Sequence, residues 1–120
     1  MKLLKQTDIK DFLKSYNLLD SNTYFVWGTV GNSYFIISFC DKGICLLPVA
    51  FSGNLSGEIH LLEKKDIEIL DMKKKIFSYK LIIKPKDIDL EQINFTIRPF
   101  MIGYKGQKEN IENILKIYFN

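Results

Sequence analysis

Residues 24–40 read YFVWGTVGNSYFIISFC, two aromatic and β-branched runs hinged on Gly31-Asn32. Side chains of this kind fit a pleated, half-buried surface, and glycine supplies the positive φ that a two-residue hairpin turn needs. The stretch predicts an antiparallel hairpin with strands over 24–30 and 33–40. Working toward the C-terminus, Asp41-Lys42-Gly43 turns the chain again and residues 44–51 make a third strand. Pro48 lacks a ladder donor, so it calls for an edge, a bulge or an early strand end. Residues 52–57, SGNLSG, read as a loop. A short fourth strand over 58–62 and a fifth over 67–72 follow, with Lys73-Lys74-Lys75 at a hairpin tip and 76–83 running back. Residues 85–92 are a polar connection. The last strand is predicted over 93–104, with a bulge or kink at Pro99.

Helical periodicity brackets these runs. Ile111, Ile114, Leu115 and Tyr118 fall on one stripe, widened by Ile117, and predict a helix over 107–119. Glu112 and Lys116 are an i, i+4 pair in the favourable order. This helix is expected to plug the β-body, with Ile114 and Leu115 almost fully buried. Near the start, Ile9, Phe12, Leu13 and Tyr16 predict a helix over 8–17 with Thr7 or Asp8 as N-cap. Tyr24, Phe25, Trp27, Tyr34, Phe35 and Phe39 cannot all share one strand face. The N-terminal stripe is therefore expected to cover some of them, the alternative being an exposed patch that binds a partner; of the two docking sites open to the helix, its own sheet or a neighbouring subunit's, the short 18–23 connection favours its own. The fold class is α+β, mainly β: a seven-strand antiparallel barrel or sandwich with a C-terminal capping helix and an extra N-terminal helix. One domain spans 1–120, with a helical extension over 1–22 and the β-body over 24–119.

A chain of 120 residues that is 47% hydrophobic and 26% charged is not wholesale disordered. The formal charge is +3, and Arg98 is the only arginine. Arginine leads bidentate base and phosphate readout, so this composition argues against specific nucleic-acid recognition. No apolar run approaches the roughly 18 to 20 residues of a membrane span. Met1-Lys2-Leu3-Leu4-Lys5-Gln6 turns polar too soon for a signal peptide, and a cytoplasmic protein is expected.

Chemistry-bearing residues are sparse. His60 is the only histidine, and its strand context supplies neither an orienting group nor a substrate proton. Cys40 and Cys45 flank a turn and read as small buried hydrophobes; with His60 they fall short of the four ligands of a structural zinc site. Residues 53–57 lack the lysine and hydroxyl of a P-loop. The expectation is no catalytic set, no metal and no cofactor. Lys64, Lys65, Lys73, Lys74, Lys75, Lys80, Lys84 and Lys86 crowd the second half. All of these except Lys80 are the candidate contacts for an anionic partner, as one basic rim; solubility and strand-edge protection are the plainer reading.

The strand order resembles the pleckstrin-homology-like (PH-like) superfold, above all its small bacterial members. The resemblance rests on residues 34–38 (YFIIS), 44–49 (ICLLPV), 58–63 (EIHLLE), 67–71 (IEILD), 76–83 (IFSYKLII), 93–97 (INFTI) and the terminal helix. It implies a module that binds phosphoinositides, peptides or proteins. The phosphoinositide subgroup carries spaced basic residues across its first hairpin, and residues 29–34 here have none, so that ligand is not expected. The function read from the chain is a non-enzymatic interaction module recognising a protein or peptide. The alternatives are a small apolar-ligand carrier or enzyme with a pocket, and a weak binder of anionic membrane or nucleic acid. Its oligomeric state is left open.

Overall fold

The computed structural model describes residues 4–50, 53–55, 58–101 and 104–119. Helix α1 (Gln6–Ser15) leads into β1 (Tyr24–Val30), β2 (Ser33–Cys40), β3 (Gly43–Val49) and β4 (His60–Glu63). A 3-10 turn (Lys64–Asp66) connects to β5 (Ile67–Lys74), β6 (Tyr79–Pro85), β7 (Ile93–Ile97) and the closing helix α2 (Gln107–Tyr118). The seven strands form one antiparallel sheet in the order β4-β3-β2-β1-β7-β6-β5, curled into a half-barrel. The expected seven-strand α+β architecture with its two helices is therefore present.

Alternation along the strands sorts the aromatics onto two faces. Val26, Ile37, Phe39, Leu81, Ile83, Phe95 and Ile97 fill the inner face, where Ile111 and Ile114 of α2 join them. Phe25, Trp27, Ile36, Cys45 and Leu47 point to the outer face and are covered by Ile9 and Leu13 of α1. Strands β1 to β3 are thus buried on both sides, which explains near-continuous apolar runs where a half-exposed strand would alternate. The N-terminal helix docks on its own sheet, as the wide stripe requires.

The two halves of the sheet barely touch through backbone. β1 pairs with β2 along its whole length but meets β7 only at Thr29–Thr96. Hydrogen-bonding edges alternate along a strand, so Phe25 and Trp27 turn their main-chain groups the same way as Thr29, with no strand opposite. Helix α2 fills the gap. Gln107, itself buried, accepts from the Trp27 N–H through Oε1 (3.1 Å) and donates through Nε2 to the carbonyls of Trp27 (2.9 Å) and Arg98 (3.1 Å). One turn on, Asn110 Nδ2 donates to the Phe25 carbonyl at 2.8 Å. These two amides replace a missing strand. Gly28 lies at the crossing: a Cβ there would meet Ile37 Cδ1 of β2 at 2.6 Å, so a larger residue would have to push that side chain aside, while the β7 atoms of Ile97 and Phe95 lie at ordinary contact distance.

A second polar cluster closes the opposite end. Asp20 accepts from the Asn22 N–H (2.8 Å), the Thr23 hydroxyl (3.1 Å) and the Asp41 N–H (3.0 Å), joining the α1–β1 connection to the β2–β3 turn. The Tyr118 hydroxyl donates to the Asn22 carbonyl and brings in the end of α2. Burial opposes ionisation of Asp20, but the hydrogen bonds from Asp41, Asn22 and Thr23, with Lys42 nearby, outweigh it and lower its pKa.

Several boundaries depart from expectation. Thr7 and Asp8 lie inside α1, whose N-cap is Lys5 with no capping side chain. The helix start is held instead by Gln6 Nε2 donating to the Lys105 carbonyl. β7 stops at Ile97, since Pro99 cannot donate to a ladder. Pro48 stays within β3, at a position beyond the Gly43–Leu46 stretch that β4 pairs. Leu115 is half-buried and not enclosed, because the buried stripe of Gln107, Ile111 and Ile114 leaves the next residue about 100° round the helix. The parts of the expected third strand, loop and last strand at 51, 52, 56, 57, 102 and 103 lie outside the described residues.

Ile114→Ala should cost roughly 2 to 5 kcal/mol in urea unfolding, as for a fully buried aliphatic residue. Gln107→Ala should cost about 2 to 4 kcal/mol, because it leaves both main-chain groups of a buried Trp27 unpaired. The pH dependence of Asp20 has a definite sign. Its folded pKa is lowered, so its contribution is complete above the unfolded value near 4 and disappears as pH falls through the folded value. Asp20→Asn should therefore be less stable at neutral pH and show a shallower acid limb in thermal melts.

Candidate functional site

The half-barrel is open between its terminal strands. β4 is only four residues long and pairs with β3. β5 runs eight residues and, as the last strand of the sheet, is bonded to β6 alone. A register shift between Ile67 and Ile69 marks a bulge at Glu68. It lets Ile67 and Leu70, three residues apart, both pack on the inner cluster. The continuous free edge is thus Ile69 to Lys74.

Beside this edge lies a cleft of about 290 Å³. One wall is Phe39, Cys40 and Ile44, the other is Ile67 and Leu70, and Ile117 and Tyr118 of α2 close the end, with Lys64 at the rim. Apolar residues are left partly in water here: Ile69 and Ile117 are both exposed. Burial above all, with the nearby acids Asp20 and Asp41, raises the Tyr118 pKa, so its hydroxyl stays a neutral donor committed to Asn22. Chemically, the site offers unpaired edge amides and carbonyls, an apolar hollow the size of a side chain, and one cation.

The candidate residues from the sequence occupy several places. His60 is exposed on β4, 3.6 Å from Glu58. Cys40 and Cys45 are buried free thiols. Burial, reinforced by Cys40, pushes Cys45 up to about 12, which leaves it protonated and unreactive at neutral pH. Among the described residues, no group of three His, Cys, Asp or Glu side chains is placed to hold a metal ion, and no helix is long and apolar enough to cross a membrane.

The lysines divide between the two ends of the sheet. Lys64 and Lys65 lie in the 3-10 turn, and Lys84 and Lys86 at the far end of β6, with Lys65 paired to Glu63 (3.3 Å) and Lys84 to Glu68 (3.2 Å). Lys73, Lys74 and Lys75 are at the other end of β5, all exposed. Lys73 and Lys74 are strand residues opposite Lys80 and Tyr79, and the turn is closed by the Lys75 N–H donating to the Ser78 carbonyl at 2.7 Å. The tip is therefore Ile76-Phe77, not the lysine triplet, because the ladder extends two residues further than periodicity suggested. The sequence reading missed Ile76, Phe77, Ile69 and Ile117 as surface residues. Strand or helix period alone does not separate such residues from core positions; an apolar pair directly after a lysine run is the one local hint.

Compared with known proteins, the chain matches no family model and none of the curated proteins.

Two variants should leave the core undisturbed. Ile117→Asp, at a partly exposed position, should change stability by less than about 1 kcal/mol while placing a charge across the cleft mouth. Replacing Lys73, Lys74 and Lys75 together with glutamine should leave the fold intact, each exposed change being worth about 0.5 kcal/mol or less. Circular dichroism melts check both.

Proposed function

We propose that this protein is a non-enzymatic binding module of the PH-like class that recognises a segment of protein or peptide in extended form, laid along β5 as an added strand. The observation that carries the reading is the unpaired Ile69–Lys74 edge with the apolar cleft beside it. In strand addition, main-chain hydrogen bonds supply affinity and a pocket for alternate side chains supplies specificity. The β5 edge offers the first, and the hollow between Leu70 and Ile117 offers the second. The strand order and the helix packed on the inner face support the class. A carrier of small apolar ligands is the second reading: the cleft, about 290 Å³, lies at the lower bound of drug-sized sites, about 300 to 1,000 Å³.

Selection from a random peptide library on the full-length protein tests this reading. Selected peptides should bind saturably, slow amide exchange along Ile69 to Lys74, and lose affinity at least tenfold on Ile117→Asp. Peptides whose contacts map elsewhere, or binding indifferent to Ile117→Asp, would overturn it.

A further inference from the structure

We propose that the β5–β6 hairpin tip docks the protein on an anionic lipid bilayer, with Ile76 and Phe77 entering the interfacial layer and Lys73, Lys74, Lys75 and Lys80 meeting headgroup phosphates. Ile76 and Phe77 are adjacent, project from a closed turn, and are 89% and 87% exposed. Neither belongs to the two core clusters, so the fold does not account for them. Large apolar side chains held in water at a protruding tip mark a contact surface.

The surrounding charge selects the partner. From Lys73 to Lys80 the sequence is KKKIFSYK, four lysines and no acid. Lys73 stands directly opposite Lys80 in the ladder, an arrangement of like charges that disfavours the hairpin on its own. Among the described residues none of these four forms an ion pair; the pairs present are His60–Glu58, Lys65–Glu63 and Lys84–Glu68. A cationic collar around an apolar point is complementary to a surface with negative headgroups over an apolar interior. The same end of the sheet carries Arg98, Lys105 and Phe100, the last 76% exposed with Lys108 Nζ 5.7 Å from its ring centre. Asp71, two residues before Lys73 on β5, is the nearest acid by chain position, and the four lysines outnumber it.

The other end provides an internal control. Ile88 in the β6–β7 connection is 96% exposed and Leu90 is exposed too, yet they alternate with Asp87, Asp89 and Glu91. Apolar exposure is similar at both ends, and charge distinguishes them: an anionic surface attracts the β5–β6 tip and repels the 86–92 connection.

The test is co-sedimentation of the full-length protein with vesicles of phosphatidylcholine alone or mixed with phosphatidylglycerol, at low and high salt. The protein should partition onto the phosphatidylglycerol vesicles and not the neutral ones, and lose binding as salt rises. Each lysine near such a surface contributes about fivefold, so changing Lys73, Lys74 and Lys75 to glutamine should weaken partitioning by about a hundredfold. Ile76→Ser with Phe77→Ser should weaken it at least tenfold, and Ile88→Ser with Leu90→Ser should leave it unchanged. Both serine pairs should keep the wild-type melting temperature. The proposal is overturned if wild-type protein ignores phosphatidylglycerol vesicles at low salt, or if the Ile76/Phe77 pair of changes leaves binding intact. It is also overturned if light scattering finds a dimer that those changes convert to monomer while vesicle binding is absent, which would make the tip a contact between copies.

Discussion

Two side-chain amides hold the halves of this sheet in relation to one another. β1 shares a single backbone pairing with β7; along the rest of that edge Gln107 of α2 bonds the Trp27 N–H and carbonyl and Asn110 the Phe25 carbonyl. Buried peptide groups must be paired, so the apolar packing of Ile111 and Ile114 on the inner face is possible only because polar side chains of the same helix close the edge. The helix is at once a hydrophobic plug and a substitute strand. α1 depends on this indirectly: Gln6 reaches the Lys105 carbonyl just ahead of α2, and Ile9 and Leu13 pack over the Trp27 that Gln107 fixes.

Two regions of the sheet have different characters. At one, Asp20, Asp41, Asn22 and Tyr118 knit three connections together, and the cleft lies beside them. At the other, the hairpin of β5 and β6 extends into solvent with an apolar point and a lysine collar. Exposed Ile76 and Phe77 cost the fold little, because nothing packs against them. The like-charged Lys73–Lys80 pair is an unfavourable local choice.

The strands and helices were legible because their patterns are strong. Gly31-Asn32 marks the first hairpin, and the glycine has φ 59° as expected of such a turn. The i, i+3, i+4 stripes of both helices identified Ile9, Leu13, Ile111 and Ile114, all buried. What the residues could not reveal was which apolar runs end early. Ile76 and Phe77 read as the start of a returning strand, yet the ladder begins only at Tyr79. Gln107 read as a polar helix start, since the need it meets arises from β1, far away in sequence. The single pairing of β1 with β7 leaves no local mark, and so the cleft and open edge that follow from the curl were invisible too.

The use of α2 as a substitute strand has a consequence for biosynthesis. Trp27 and Gln107 are 80 residues apart, and the ordering entropy of closing so long a loop must be met before the contact returns anything. Until the last helix has left the ribosome, β1 carries bare main-chain groups at Phe25 and Trp27 along an apolar strand, the kind of edge that recruits other chains. Until Gln107–Tyr118 has been made the sheet is an unfinished template, and those residues decide whether β1 closes on its own chain or on a neighbour.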